Sequence, residues 1–289
     1  MAVLWALCAF LLLVASALAD ADSCHFSSQE YYLSSEVAHC LRGAYSSDSY
    51  GAPSLIGSAR AAASQYYLME AVEGDAVNAG LTQLYLDYPL GGDWSPYDLE
   101  MDIARVFRLA RDPNFTYSPP SCMSALNYLH PMRPVPSLSS SGWSVVSGDS
   151  AVLSQWEELV HVQGDPNTMA VIQALRDGSS IPVTAMGSTD PLSHMTNEAL
   201  NRGTHEDISA SITQISNTGF HARTGASGLR DPVSYTLDTS GVDGCDTDSV
   251  DITVEDFVVF QYDALSTDAV LAQCSSTPQT DNAMNVSTR

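Results

Sequence analysis

The side chains able to do chemistry are plentiful in this chain, but few stand at a spacing that chemistry requires. Its seven histidines, with many serines and aspartates, always allow a spatial triad on paper, and nothing in their order promotes one. His194 and His205, followed by Glu206 and Asp207, supply metal-ligand types. They lack the spacing of an H-E-x-x-H helix, and histidines beside acids at a surface are the preferred reading. Asp238, Asp243, Asp246, Asp248 and Asp251 place five carboxylates in fourteen residues. Hard cations favour such oxygen clusters, yet the acids do not fall at EF-hand positions and no glutamate closes the loop, so an acidic hairpin loop is expected. Gly142-Trp143-Ser144 and Gly225-Ala226-Ser227-Gly228 both fall short of a G-x-S-x-G nucleophile elbow. Arg105, Arg108 and Arg111 form a row that is either an anion site or a solvated helix face, and the second is preferred. Trp94, Trp143 and Trp156, with thirteen tyrosines, either line a carbohydrate or peptide groove or fill a core, and the core is preferred. No catalytic residue, metal ligand or cofactor-binding residue is assigned.

Composition narrows the function further. All eleven basic residues are arginine; lysine is absent. That excludes a Schiff-base lysine, a phosphate-loop lysine and a Ser–Lys dyad within the chain. With 34 acidic residues the formal charge is −23, which argues against nucleic acid or an anionic membrane as partner. Residues 1–19 are apolar and end in Ala17-Leu18-Ala19, the form of a secretory signal peptide cleaved before Asp20. No later apolar stretch reaches membrane length, so a secreted, extracellular protein without stable membrane insertion is expected. In an oxidising compartment the five remaining cysteines favour disulfides. Their pairing stays open; the local choice is Cys24–Cys40 and Cys245–Cys274, with Cys122 left over. Asn114-Phe115-Thr116 and Asn285-Val286-Ser287 are glycosylation sequons.

The elements that position these groups read as α+β. A short helix is expected over Glu36–Arg42 and another over Ser54–Val72, followed by a turn at Gly91-Gly92-Asp93. The clearest helix starts at Ser95-Pro96, carries Leu99, Ile103, Val106 and Ala110 on one face, and stops at Asp112-Pro113. Ser137–Gly148 reads as a linker, and Val160-His161-Val162 as a short strand. Gly164-Asp165-Pro166 turns the chain into a helix over Asn167–Arg176, with a second helix over His205–Ser216. Period-two alternation marks strands at Val233–Leu237 and Val250–Val254, and residues 275–289 form a polar tail.

Two stretches carry a family resemblance. Leu33-Ser34-Ser35-Glu36-Val37-Ala38-His39-Cys40 follows Cys24. Tyr97-Asp98-Leu99-Glu100-Met101-Asp102-Ile103 runs on through Arg111–Tyr117 to Ser121-Cys122 and Tyr128-Leu129-His130-Pro131. In this order they resemble the N-terminal half of secreted, mostly fungal proteins of the tail-specific (C-terminal-processing) serine protease family. Val160–Leu175, Gly219–Arg223 and Val233–Leu237 are similar to segments of that family's PDZ-like module. The resemblance implies a mainly helical N-terminal domain over 20–140 and a PDZ-like α+β module over 145–265. PDZ modules take extended peptides by strand addition. The family's Ser–Lys catalytic domain would begin where this chain ends, and no catalytic residue transfers. The expected function is therefore a noncatalytic, polypeptide-binding protein, its partner a polypeptide ligand or a separate protease chain. The alternatives are a secreted hydrolase with an unrecognised site and a truncated form of an active serine peptidase.

Overall fold

A computed structural model describes residues 31–44, 51–65, 74–112, 115, 117, 126–139, 141–202, 207–224 and 230–260. The expected signal peptide over 1–19, the expected tail over 275–289, Cys24, Cys122, Cys274, Asn114 and Asn285 lie outside them. The architecture is α+β, with two antiparallel sheets.

The first half supplies β1 (Tyr32–Leu33), α1 (Ser34–Ala44), α2 (Ala52–Gln65), α3 (Gly74–Asp87) and α4 (Pro96–Arg108). Helix α4 begins at Ser95-Pro96 as its proline dictates. It is apolar on two faces. Tyr97, Met101 and Ala104 pack toward α1 and a sheet, while Leu99, Ile103, Val106 and Phe107 pack against α2 and α3. Helix α3 went unforeseen, although Val77, Leu81 and Leu84 stand on one helical face and are buried. Its Gly80 lies so close to α4 that a Cβ there would sit 2.9 Å from both methyls of Val106.

The second half supplies β2 (Leu126–Leu129), β3 (Met132–Pro136), β4 (Trp143–Ser147), α5 (Ser150–Gln163), α6 (Pro166–Arg176), β5 (Ile181–Met186), α7 (Pro191–Arg202) and α8 (Ile208–Gln214). A π-helical turn, Ile215–Gly219, leads to β6 (Ala222–Thr224), β7 (Val233–Asp238), β8 (Ser249–Val254) and β9 (Phe257–Phe260). One sheet has the order β3-β4-β5-β7-β8 and the other β1-β9-β2-β6.

Two local expectations are corrected. Val160–Val162 is not a strand but the last turn of α5. The Asp149 carboxylate accepts from the Ala151 and Val152 amides, Gly164 (φ 74°) closes the far end, and Val152, Leu153, Trp156 and Val160 are buried. A whole capped helical period outweighs three β-prone residues. Ser137–Gly148 is not a linker but the β3–β4 hairpin, running in register from Met132↔Ser147 to Pro136↔Trp143. Its serines hydrogen-bond one another, as Ser137 and Ser144 do at 2.8 Å. The divide expected between 140 and 145 therefore cuts a hairpin. The helix expected from His205 is described from Ile208, where Asp207 caps it by accepting from Ala210 N.

Candidate functional site

The polar centre of the protein lies where the chain passes between its sheets. It does so four times among the described elements: from β2 to β3 through His130-Pro131, from β5 to β6 by way of α7, α8 and the π-helical turn, from β6 to β7 along the stretch that holds Arg230, and from β8 to β9 through Glu255-Asp256. The first, third and fourth of these crossings meet at the Asp256 carboxylate. Its Oδ1 accepts from His130 Nδ1 at 3.0 Å and from Arg230 Nη2 at 3.0 Å. Its Oδ2 accepts from Arg223 Nη2. His130 Nε2 in turn accepts from the Tyr235 hydroxyl at 2.8 Å. His130 and Asp256 have fully buried side chains, and those of Arg223 and Arg230 are 5% and 3% exposed.

The backbone builds this junction. The Asp256 carbonyl accepts from Ser34 N at 2.9 Å, and the Glu255 carboxylate accepts from Ser34 Oγ at 3.0 Å, so the β8–β9 corner also starts α1. His130 N donates to the His221 carbonyl at 2.9 Å. Gly148 at the end of β4 is pressed against the same corner: a Cβ there would lie 2.4 Å from the His130 carbonyl oxygen. Only glycine permits that approach.

Electrostatics follow from burial. Desolvation, reinforced by Arg230, pushes the His130 imidazole down to about 3, so it is neutral at pH 7. Burial alone would raise the Asp256 carboxyl, but Arg230 and Arg223 hold it well below the usual carboxylate range. Burial drives the Arg223 guanidinium down to about 9, with Arg230 adding to the effect. Tyr235–His130–Asp256 has the spacing of a proton relay. However, both imidazole nitrogens are committed and the ring is sealed from solvent, so the chain of bonds ties strands together and offers no base to a substrate.

No family model, curated protein or solved structure matches the chain.

The residues singled out by sequence are scattered. Cys40 is disulfide-bonded, to a partner outside the described residues. Cys245 carries a free thiol, which corrects the expected bridge to Cys274; its Sγ points to the Asn167 carbonyl at 3.7 Å, and burial raises its pKa. Phe115 of the first sequon is buried and stacked on Phe107, ring centroids 4.8 Å apart. No group of three or more His, Cys, Asp or Glu among the described residues is arranged to hold a metal ion. Trp143 and Trp156 are core residues. The arginine row divides: Arg105 is exposed and paired with Asp102, while Arg108 turns toward α7 and donates to the Asn201 carbonyl at 3.3 Å. Arg223 and Arg230 received no role from sequence, because their partner lies 33 and 26 residues away and His130 lies 126 residues from Asp256.

Two further features face outward. Strand β8 is bonded to β7 from Ser249↔Asp238 to Val254↔Val233, and among the described residues no strand lies on its other side. Beside the β7–β8 loop is a hollow of about 520 Å³ whose rim carries Asp177, Asp238 and Asp243.

Proposed function

We propose that this protein is a secreted, noncatalytic polypeptide-binding protein that adds an extended basic segment to the open rim of β8. The observation that carries this reading is the asymmetry of the five-stranded sheet. Its β3 rim contains Pro134 and Pro136, which have no amide to donate, whereas β8 is a regular six-residue strand without proline. An unpaired strand of that length is a template for another chain. Exposed Asp251, the acidic hollow and a formal charge of −23 favour a basic ligand. The resemblance to PDZ-like modules points the same way.

The test is a display selection of extended peptides on the purified secreted chain, followed by amide hydrogen exchange with the best peptide bound. Slower exchange within Ser249–Val254 is expected. Peptides that leave β8 exchange unchanged, or peptide hydrolysis abolished by a serine-directed reagent, would overturn the proposal.

A further inference from the structure

The β7–β8 hairpin fixes which groups of β8 reach its open rim. Thr239 N donates to the Asp248 carbonyl at 2.9 Å, so these two residues form a bonded pair. Bonded and unbonded pairs alternate along the register from Asp238↔Ser249 to Val233↔Val254. Val250, Ile252 and Val254 therefore turn their amides and carbonyls to β7. On the other side of β7, Gly187 N donates to the Ser234 carbonyl at 2.7 Å, so Ser234 serves β5 and stands opposite Thr253 as an unbonded pair. Ser249, Asp251 and Thr253 hence aim their amides and carbonyls at the rim.

The same alternation divides the side chains. Val250, Ile252 and Val254 are buried in the core, whereas Ser249, Asp251 and Thr253 are exposed. The residues that offer the rim its hydrogen bonds are thus the ones that show their side chains to solvent. A strand added there sets the residue opposite each of them on the solvent face, with Cβ atoms roughly 5 Å apart. Its intervening residues fall on the face of Val250, Ile252 and Val254. Among Ser249, Asp251 and Thr253 only Asp251 is charged. Thr236 Oγ1 donates to Asp251 Oδ1 at 2.7 Å and holds the carboxylate on the sheet. Thr253 Oγ1 is hydrogen-bonded to Ser234 Oγ at 2.8 Å. Glu255, the next acid along the chain, is committed to Ser34 Oγ and Ser35 N.

Given the strand addition proposed above, on which this rests, we infer that Asp251 selects the bound segment. That segment carries arginine or lysine opposite Asp251. Two residues to either side, opposite Ser249 and Thr253, it carries hydroxyl or β-branched side chains, with apolar residues in between. A basic composition alone does not suffice, because a slip of one residue would carry the cation to the apolar face.

The test uses the full secreted chain and two peptides, Thr-Val-Arg-Val-Thr-Val and its twin with glutamine for arginine, in identical Gly-Ser flanks. Fluorescence anisotropy reads affinity, and amide hydrogen exchange within Ser249–Val254 reads the place of binding. The arginine peptide is expected to slow exchange there and to bind more tightly than its twin. Asp251→Asn, which keeps an acceptor for Thr236, should cut that preference about twofold to fivefold, the range of an opposite-charge pair across strands. Glu158→Gln removes the same charge from the exposed side of α5 and should leave the preference unaltered. If β8 is protected but the preference survives Asp251→Asn, or falls equally with Glu158→Gln, Asp251 does not select and strand addition stands. Peptides that fail to bind, or that bind without slowing β8 exchange, would overturn strand addition and the role of Asp251 with it.

Discussion

His130 shows how burial turns an ordinary side chain into a pH-dependent term. Its folded pKa of about 3 lies below the value near 6.5 that it has when unfolded. Between those values the unfolded chain binds a proton that the folded protein refuses, so stability rises with pH through that interval and falls as acid is added. Asp256 acts in the same direction lower down. Its folded pKa is depressed, so its contribution is present above about pH 4 and is lost as pH falls below that. His194 and His221, both lowered chiefly by burial, add smaller terms of the same sign. Denaturant midpoints at pH 7, 6, 5 and 4 should therefore fall steadily. His130→Gln can keep an acceptor for Tyr235 and a donor for Asp256 but does not titrate. Its stability should lose about 1.4 kcal/mol less per pH unit between pH 6 and 4 than the parent's. Parallel curves for parent and variant would show that His130 ionises freely.

At the scale of elements, contact between helices is set by single atoms. Gly80→Ala should gain up to about 1 kcal/mol of helix propensity, yet its Cβ meets the Val106 methyls at 2.9 Å. Overpacking of this kind costs about 1–3 kcal/mol, so net destabilisation is expected. In a double-mutant cycle with Val106→Ala the two changes should be non-additive, the paired variant being more stable than the sum of singles by at least about 0.5 kcal/mol. Additive effects in chemical denaturation would mean that α3 and α4 separate freely. The same element shows what the sequence made legible. Long capped periods were readable: α4 from Ser95-Pro96, α6 after Gly164-Asp165-Pro166, and the β7–β8 hairpin from alternation alone. Short signals were not. Val160–Val162 looked extended because its helical partners stand as far back as Val152, and the serine hairpin looked like a linker because its strands carry Pro134, Pro136 and Ser144 instead of a clean alternation. The junction itself left no local trace. Arg223 and Tyr235 lie within β6 and β7, His130 and Asp256 just beyond β2 and β8, and Arg230 shortly before β7, so proximity arises only when three crossings converge.

For the whole molecule, that convergence bears on how many units the chain contains. The resemblance divides it into 20–140 and 145–265, but β1 and β2 share a sheet with β6 and β9, and Asp256 ties three of the four crossings while starting α1. Asp256→Asn keeps the shape and removes the charge, leaving Arg223 and Arg230 buried without a counter-ion. Breaking a buried pair in this way costs about 3–5 kcal/mol. If the halves were separate, the loss would fall on β5–β7 and spare α3–α4. If the seam joins them, hydrogen exchange in increasing denaturant should show peptides from both regions losing protection at one common midpoint, lowered equally by the variant. Retention of the parent midpoint by α3–α4 peptides would sink the single-unit reading. A common shift would mean that the acidic molecule is held together from its few buried cations outward, with the surplus of carboxylates left at the surface to meet a partner.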